Sequence, residues 1–229
     1  LFPYTTLFRS VQDSRHFMNR FVLYMYGGRT LMKELPLFTV NGGYGYNQEL
    51  FTDCWMNRGG CGAVVACDVS IYLARCFDLT GLYPFAADTI GEAEYVRFSQ
   101  IMKPYLHPRM TGIDTTQIWI DGYRQYLAAC SVTSLRLAGV QGDTPFVEFA
   151  AAVTAQIDKA MPVPYLNLSH RSKNLADYVW HWFWLAGYER VAGTIMVKAV
   201  SYGSYRWLSL YELWDTGFSR KGGIVCFDI

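Results

Sequence analysis

The sequence predicts an α+β fold, with helical segments first and a run of antiparallel strands afterwards. Three observations support this. Apolar residues recur at helical spacings between residue 62 and about Ala160. Runs rich in β-branched and aromatic residues, separated by turn signals, fill the chain from Val163 onward. The composition is that of a packed protein: of 229 residues, 52% are hydrophobic and only 17% charged, enough for one sizeable core.

The N-terminus is set apart from the rest. Residues 1–10, LFPYTTLFRS, resemble a translated sequencing-adapter read. Residues 11–31 read as an untranslated leader, which puts the natural start at Met32 and leaves 32–229 as one domain. From that start no secretory signal follows, so a cytoplasmic location is expected. Were the extension genuine, Phe17–Tyr26 would form a helix.

Residues 34–60 hold Gly42-Gly43, Gly45 and Gly59-Gly60 and read as loop or short strand. Val64, Val65, Ile71, Tyr72 and Cys76 predict a buried helix over 62–76, ended by Gly81 and Pro84. A second helix is predicted over 89–102, before Pro104 and Pro108. A third covers 115–129, with Ile118, Tyr123, Tyr126 and Leu127 on one side. Asp143-Thr144-Pro145 is a start signal for a fourth, with Phe146, Phe149, Ala150, Val153 and Ile157 as its stripe. Strands are predicted at Val163–Leu168, Val179–Tyr188, Thr194–Tyr202, Arg206–Leu210 and Gly223–Phe227.

Several function classes lack support. The net charge of +1 offers no basic surplus, so no nucleic-acid partner is expected. The most apolar stretch, Val179–Tyr188, is too short to span a membrane and carries His181. Cys54, Cys61, Cys67, Cys76, Cys130 and Cys226 form no CxxC pair and read as reduced, one reactive and the others packed. The histidines and acids show no metal-ligand spacing, so no metal and no cofactor are expected.

Cys61 is the candidate nucleophile. It sits in Gly59-Gly60-Cys61-Gly62-Ala63, where a loop enters a helix. Unpaired N–H groups and partial positive charge at a helix start favour the thiolate, the attacking species. Small neighbours let a substrate backbone approach and leave the Cys61 N–H free for an oxyanion. A thiol hydrolase also needs a base. Of the four histidines, His16 lies in the doubtful leader, His107 in a Pro-flanked loop and His170 in a polar turn. His181 stands in the aromatic strand Tyr178–Trp184, where a polar side chain must be paired or working.

A cysteine at a helix start, a long helical stretch and a late strand histidine together resemble the papain-like cysteine peptidases. The nearest group is the bacteriocin-processing, double-glycine peptidase-like one. Its glutamine loop, Gly-Cys-Gly turn, late G-x-P-V strand and H-x-x-x-x-x-G-Y strand are met by Asn47-Gln48, Gly60-Cys61-Gly62, Ala160-Met161-Pro162-Val163 and His181 through Gly187-Tyr188. The resemblance covers roughly residues 38–227. It implies Cys61 as nucleophile, His181 as base and Gln48 as oxyanion-hole donor, with Asn57 as a rival for the last role.

The strand after His181 departs from the pattern. Thr194–Gly203 contains no Asp or Asn to orient the imidazole; Ser201, in a Ser-Tyr-Gly step resembling Ser-Trp-Gly, is the nearest polar candidate, and Asp177 a substitute. Asp68 reads as a helix-face charge, Asn167-Leu168-Ser169 as a chance glycosylation triplet, and most of Trp180, Trp182, Trp184, Trp207 and Trp214 as core. The expected activity is hydrolysis of a peptide or isopeptide bond in a peptide or protein substrate. The same Cys-His site would serve an acyltransferase, and a papain-like module that binds without turnover is the non-enzymatic alternative.

Overall fold

The computed structural model describes residues 24–26 and 29–229, with side chains from Met32 onward. The adapter-like string, His16 and most of the Phe17–Tyr26 segment lie outside the described residues. Its last three, Tyr24–Tyr26, form strand β1, not a helix.

The elements follow in chain order. After β1 come β2 (Arg29–Glu34) and a small hairpin, β3 (Thr39–Val40) with β4 (Gly43–Tyr44). Then come helices α1 (Cys54–Gly59), α2 (Cys61–Cys76), α3 (Glu92–Met102) and α4 (Thr116–Ala129). Strand β5 (Arg136–Gln141) precedes α5 (Phe146–Asp158) and β6 (Val163–Asn167). The chain ends with β7 (His181–Val191), β8 (Thr194–Ser201), β9 (Ser204–Ser209), α6 (Leu210–Trp214) and β10 (Gly223–Asp228).

Eight strands form one antiparallel sheet in the order β1-β2-β7-β6-β10-β5, and β8 and β9 extend it from β7. The fold is therefore α+β. β7 organises the sheet. Its first half pairs with β6 (Asn167 opposite His181), its second half with β2 (Met32 opposite Glu189), and β8 runs along its other edge. The β7–β8 register shifts between Leu185 and Tyr188. Side chains alternate across the pleat, so each face of β7 meets different helices. Trp184 packs near Tyr72 of α2 and Trp182 stacks near Trp119 of α4, with ring centroids 6.0 and 5.7 Å apart. Phe183 stacks on Tyr165 of β6 at 4.9 Å, and Tyr165 meets Phe149 of α5.

α2 is the central helix: every residue from Cys61 to Ala74 is buried. A helix buried on every side in this way, Asp68 and Ser70 included, has no solvent face. α4 is capped by the Thr115 side chain, which accepts from the Ile118 N–H. Two elements depart from expectation. α1 forms inside the predicted loop because Asp53 accepts from the N–H groups of Trp55 and Met56 and is paired with Lys103. β5 is an edge strand with only Leu137 buried, so it shows no clear alternation.

Among the described residues no helix is long and apolar enough to cross a membrane. All six cysteines are free thiols.

Candidate active site

The mouth of one cavity gathers Tyr46, Gln48, Cys61, Val64, Val65, Asp68, His181, Trp182, Val200, Ser201 and Tyr202. The space inside it that the centre of a water molecule can reach is about 10 Å³, room for about one water. Four of the residues singled out from sequence, Cys61, His181, Gln48 and Ser201, therefore share one space, although they come from four separate parts of the chain.

Cys61 is the first residue of α2 and follows α1 after the single residue Gly60, whose N–H donates to Met56 O at 3.0 Å. At this position its own N–H has no partner within the helix. The sulfur lies beside the backbone N–H groups of Trp182, Gly62 and Cys61 itself. These favour the thiolate, but Cys61 is only 8% exposed and burial outweighs them, pushing the thiol pKa up. Removal from water costs the anion more than the helix start returns.

His181 opens β7. Trp180, just before it, takes a left-handed φ of +51°, which turns the chain into the strand. Nε2 lies 2.6 Å from Ser201 Oγ on β8. If Ser201 accepts, the proton sits on Nε2 and Nδ1 is the basic nitrogen. The Tyr202 ring stacks flat on the imidazole, centroids 4.5 Å apart and planes 3° off parallel, with its hydroxyl 3.4 Å from Nδ1. Tyr202 occupies the two-residue turn between β8 and β9 with φ +52°, followed by Gly203 at +69°, a pattern that matches the sheet's twist. Burial holds the His181 pKa down to about 4. At neutral pH the pair is therefore a thiol and a neutral imidazole. No hydrogen bond joins Cys61 directly to His181.

Gln48 begins a short 3-10 turn. Its Nε2 donates to Asn57 O at 3.2 Å, and its buried Oε1 has no partner. Asn57 does not face the cavity as a rival donor: its Nδ2 holds the same turn, through Glu49 O at 2.7 Å and Phe51 O at 3.3 Å. Asp177 does not reach His181 as a substitute orienting group. Its exposed carboxylate pairs loosely with Arg206 at 3.9 Å. Asn167, of the glycosylation-like triplet, is buried opposite His181 and donates from Nδ2 to Tyr178 O at 2.8 Å. Trp182 and Trp184 are core residues, whereas Trp180 is half exposed under Arg220.

Asp68 corrects another expectation. It is not a helix-face charge but a carboxyl group 3% exposed that lines the cavity. Its Oδ1 accepts the Tyr95 hydroxyl at 2.7 Å. Trp184 Nε1 lies near enough to favour the anion yet makes no hydrogen bond. Burial is the dominant influence and lifts the Asp68 pKa to about 7. The sequence held no signal for this, since an acid seven positions after a cysteine is common on any helix.

The two shifted groups make opposite demands on stability. Between about pH 4 and 6.5 the unfolded chain protonates His181 and the folded one does not, so this group's contribution grows as pH rises. Between about pH 4 and 7 the folded chain keeps a proton on Asp68 that the unfolded chain has lost, so this contribution shrinks as pH rises. In the wild type the two largely cancel. The melting temperature of Asp68→Asn, taken relative to wild type, is expected to climb from pH 4 to 6.5. A flat or falling difference across that range would contradict the assigned burial effects. Tyr95, Tyr46, Cys67, Cys61 and His181 are the other titratable groups around this space, and apart from His181 none of them titrates in this window in its ordinary form.

No family model, curated protein or solved structure matches the chain.

Proposed function

We propose that the chain is a papain-like thiol hydrolase that cleaves peptide or isopeptide bonds through a covalent thioester on Cys61. The observation behind this reading is the convergence of Cys61, at a helix start, and His181, held by Ser201, on one small cavity.

Each chain group has a task. A substrate carbonyl enters beside Cys61, and His181 Nδ1 takes the thiol proton as the sulfur attacks. Because both groups rest neutral, the proton moves during attack and not before it. Ser201 holds Nε2 and stabilises the imidazolium that forms. The unpaired Cys61 N–H and the second Nε2 hydrogen of Gln48 receive the developing oxyanion. His181 then protonates the leaving amine, and water, activated by the same nitrogen, releases the acid. The free thiols suit a reducing compartment such as the cytoplasm.

Acylation by a p-nitrophenyl ester tests this. Intact-mass and peptide analysis should find the acyl group on Cys61, followed by turnover. Exposed Cys54 serves as the internal control. Acylation of Cys54 ahead of Cys61, or a Cys61→Ala variant that hydrolyses the ester as fast as wild type, removes the proposal.

One observation favours the binding-module reading: among the described residues no carboxylate or amide orients His181, and its Nε2 meets a serine hydroxyl. In that case Cys61 stays unacylated while the cavity still takes ligands.

A further inference from the structure

The proposed chemistry brings a substrate carbonyl to Cys61, yet the cavity has room for about one water. Cys61 and His181 are both buried beneath it. A wall of the cavity must therefore move before anything larger reaches the sulfur. The walls differ in how firmly they are held.

Most of them are fixed. The α2 wall belongs to a helix buried along nearly its whole length, and the β7 and β8 walls to strands paired with their neighbours. Tyr46 is buried, packs on the rings of Tyr95 and Phe51 at 4.7 and 4.9 Å, and donates its hydroxyl to Glu92 at 3.0 Å. Gln48 is tied to Asn57 O at 3.2 Å.

Tyr202 is held less. It sits in the two-residue turn between β8 and β9 and is partly exposed. Its hydroxyl contacts, to His181 Nδ1 at 3.4 Å and Asp177 O at 3.5 Å, lie at the long limit of hydrogen bonding. What seats the ring is its flat stack on the imidazole. The backbone works against that seat, because φ +52° is unfavourable for a bulky side chain. The turn leans on the β3–β4 hairpin through one bond, from the Tyr44 N–H to Gly203 O at 2.9 Å. Burial pushes the Tyr202 pKa up to about 12, and the charge that a Cys61 thiolate would carry adds to this, so the phenol lies within electrostatic reach of the sulfur.

We infer that Tyr202 is a gate. Its ring, stacked on His181, closes the cavity over Cys61, and the cavity opens when the ring leaves the imidazole. Access to the sulfur depends on the β8–β9 turn alone and stands without the hydrolase reading; that the visitor is a substrate carbonyl rests on that reading. One ring stack favours the closed form by about two- to tenfold, so the gate is biased shut and not locked.

The test uses iodoacetamide and iodoacetanilide, which carry the same reactive group, the second with one phenyl ring added. For each reagent the alkylation rate of Cys61 is divided by that of exposed Cys54. The anilide-to-amide ratio of these values cancels any change in thiol acidity and reads access alone. Tyr202→Gly removes the ring and suits the positive φ. It is expected to raise the ratio by about threefold or more, within the range that one stack holds closed. Tyr202→Phe keeps the stack and is expected to stay at the wild-type ratio. An unchanged ratio in Tyr202→Gly, or a ratio in Tyr202→Phe as high as in Tyr202→Gly, overturns the gate. Should Tyr202→Gly not fold, Tyr202→Asn takes its place, since Asn before Gly is favoured in a turn of this kind. Ester acylation in the same variants separates the two readings. Acylation of Cys61 with an unchanged ratio leaves the hydrolase and removes the gate. A raised ratio without acylation leaves the gate and removes the hydrolase.

Discussion

Replacing His181 by alanine is expected to slow acylation of Cys61 by about 10²–10⁴-fold, the usual worth of a positioned proton acceptor. The size follows from the resting state. Burial raises the Cys61 pKa, so little thiolate exists at neutral pH to attack unaided. The same burial keeps His181 neutral, with a pKa near 4, so the acceptor is available through the working pH range. Removing it takes away the route by which the thiol loses its proton. Stopped-flow release of p-nitrophenol reads the rate. Added imidazole should restore part of it in His181→Ala, because the vacated space adjoins the cavity. Ser201→Ala leaves the ring in place but frees Nε2, and a smaller loss is expected. A His181→Ala rate within about threefold of wild type, on the same transition-state scale, would exclude His181 as the base.

The second large effect is expected at Gly60. A Cβ there would run into the backbone of Met56, with Cα 2.9 Å and C 3.0 Å away and the carbonyl oxygen nearer still. A flexible side chain could yield, but the last turn of α1 cannot without breaking the Gly60 N–H bond to Met56 O. Gly60→Ala must therefore open that turn or displace the start of α2, which is Cys61 itself. A shift of about 1 Å at a reacting atom costs on the order of 10²-fold, and overpacking of this kind costs about 1–3 kcal/mol in stability. The contrast is Gly62→Ala, whose Cβ meets the terminal carbon of Ile113 at 2.9 Å and can be relieved by that side chain turning. Acylation rate and melting temperature, measured together, should fall in Gly60→Ala well below Gly62→Ala. Wild-type values for both would mean that the α1–α2 junction does not set the position of the sulfur.

The helices were legible where one signal dominated. The apolar run from Val64 to Tyr72 marked α2, and the Pro145 start marked α5 to within a residue or two. α1 was not legible because its six residues hold no apolar repeat; it depends on the Asp53 cap and the bond to Lys103, fifty positions away. β5 was hidden because one buried residue, Leu137, makes no pattern. At the candidate site, Cys61 and His181 were legible through their surroundings, a glycine turn and an aromatic strand. Asp68 and Tyr202 were not. A buried acid is betrayed only by what packs over it, here Gly45 and Tyr95. Tyr202 meets His181 only because the β8–β9 turn folds back over β7. The helix-start argument counted the N–H groups near the sulfur but not the water removed from it. Ala160 shows the same blind spot in the backbone. It adopts φ +63° at the end of α5 where the G-x-P-V pattern has glycine, a conformation the residue type alone would not suggest.

β7 brings two different things to the cavity that holds the sulfur: the His181 imidazole as a side chain and the Trp182 N–H as backbone. Strand side chains alternate with a period of two, so sliding β7 by one position would present the Trp182 indole where the imidazole belongs and carry the N–H away as well. The irregular step between Leu185 and Tyr188 opposes such sliding, because it fits β8 in one alignment only. If the proposed chemistry holds, a misaligned molecule is chemically silent rather than partly active. On the proposed chemistry, the titre of acylatable sulfur in a preparation counts the chains whose strands have found their proper partners.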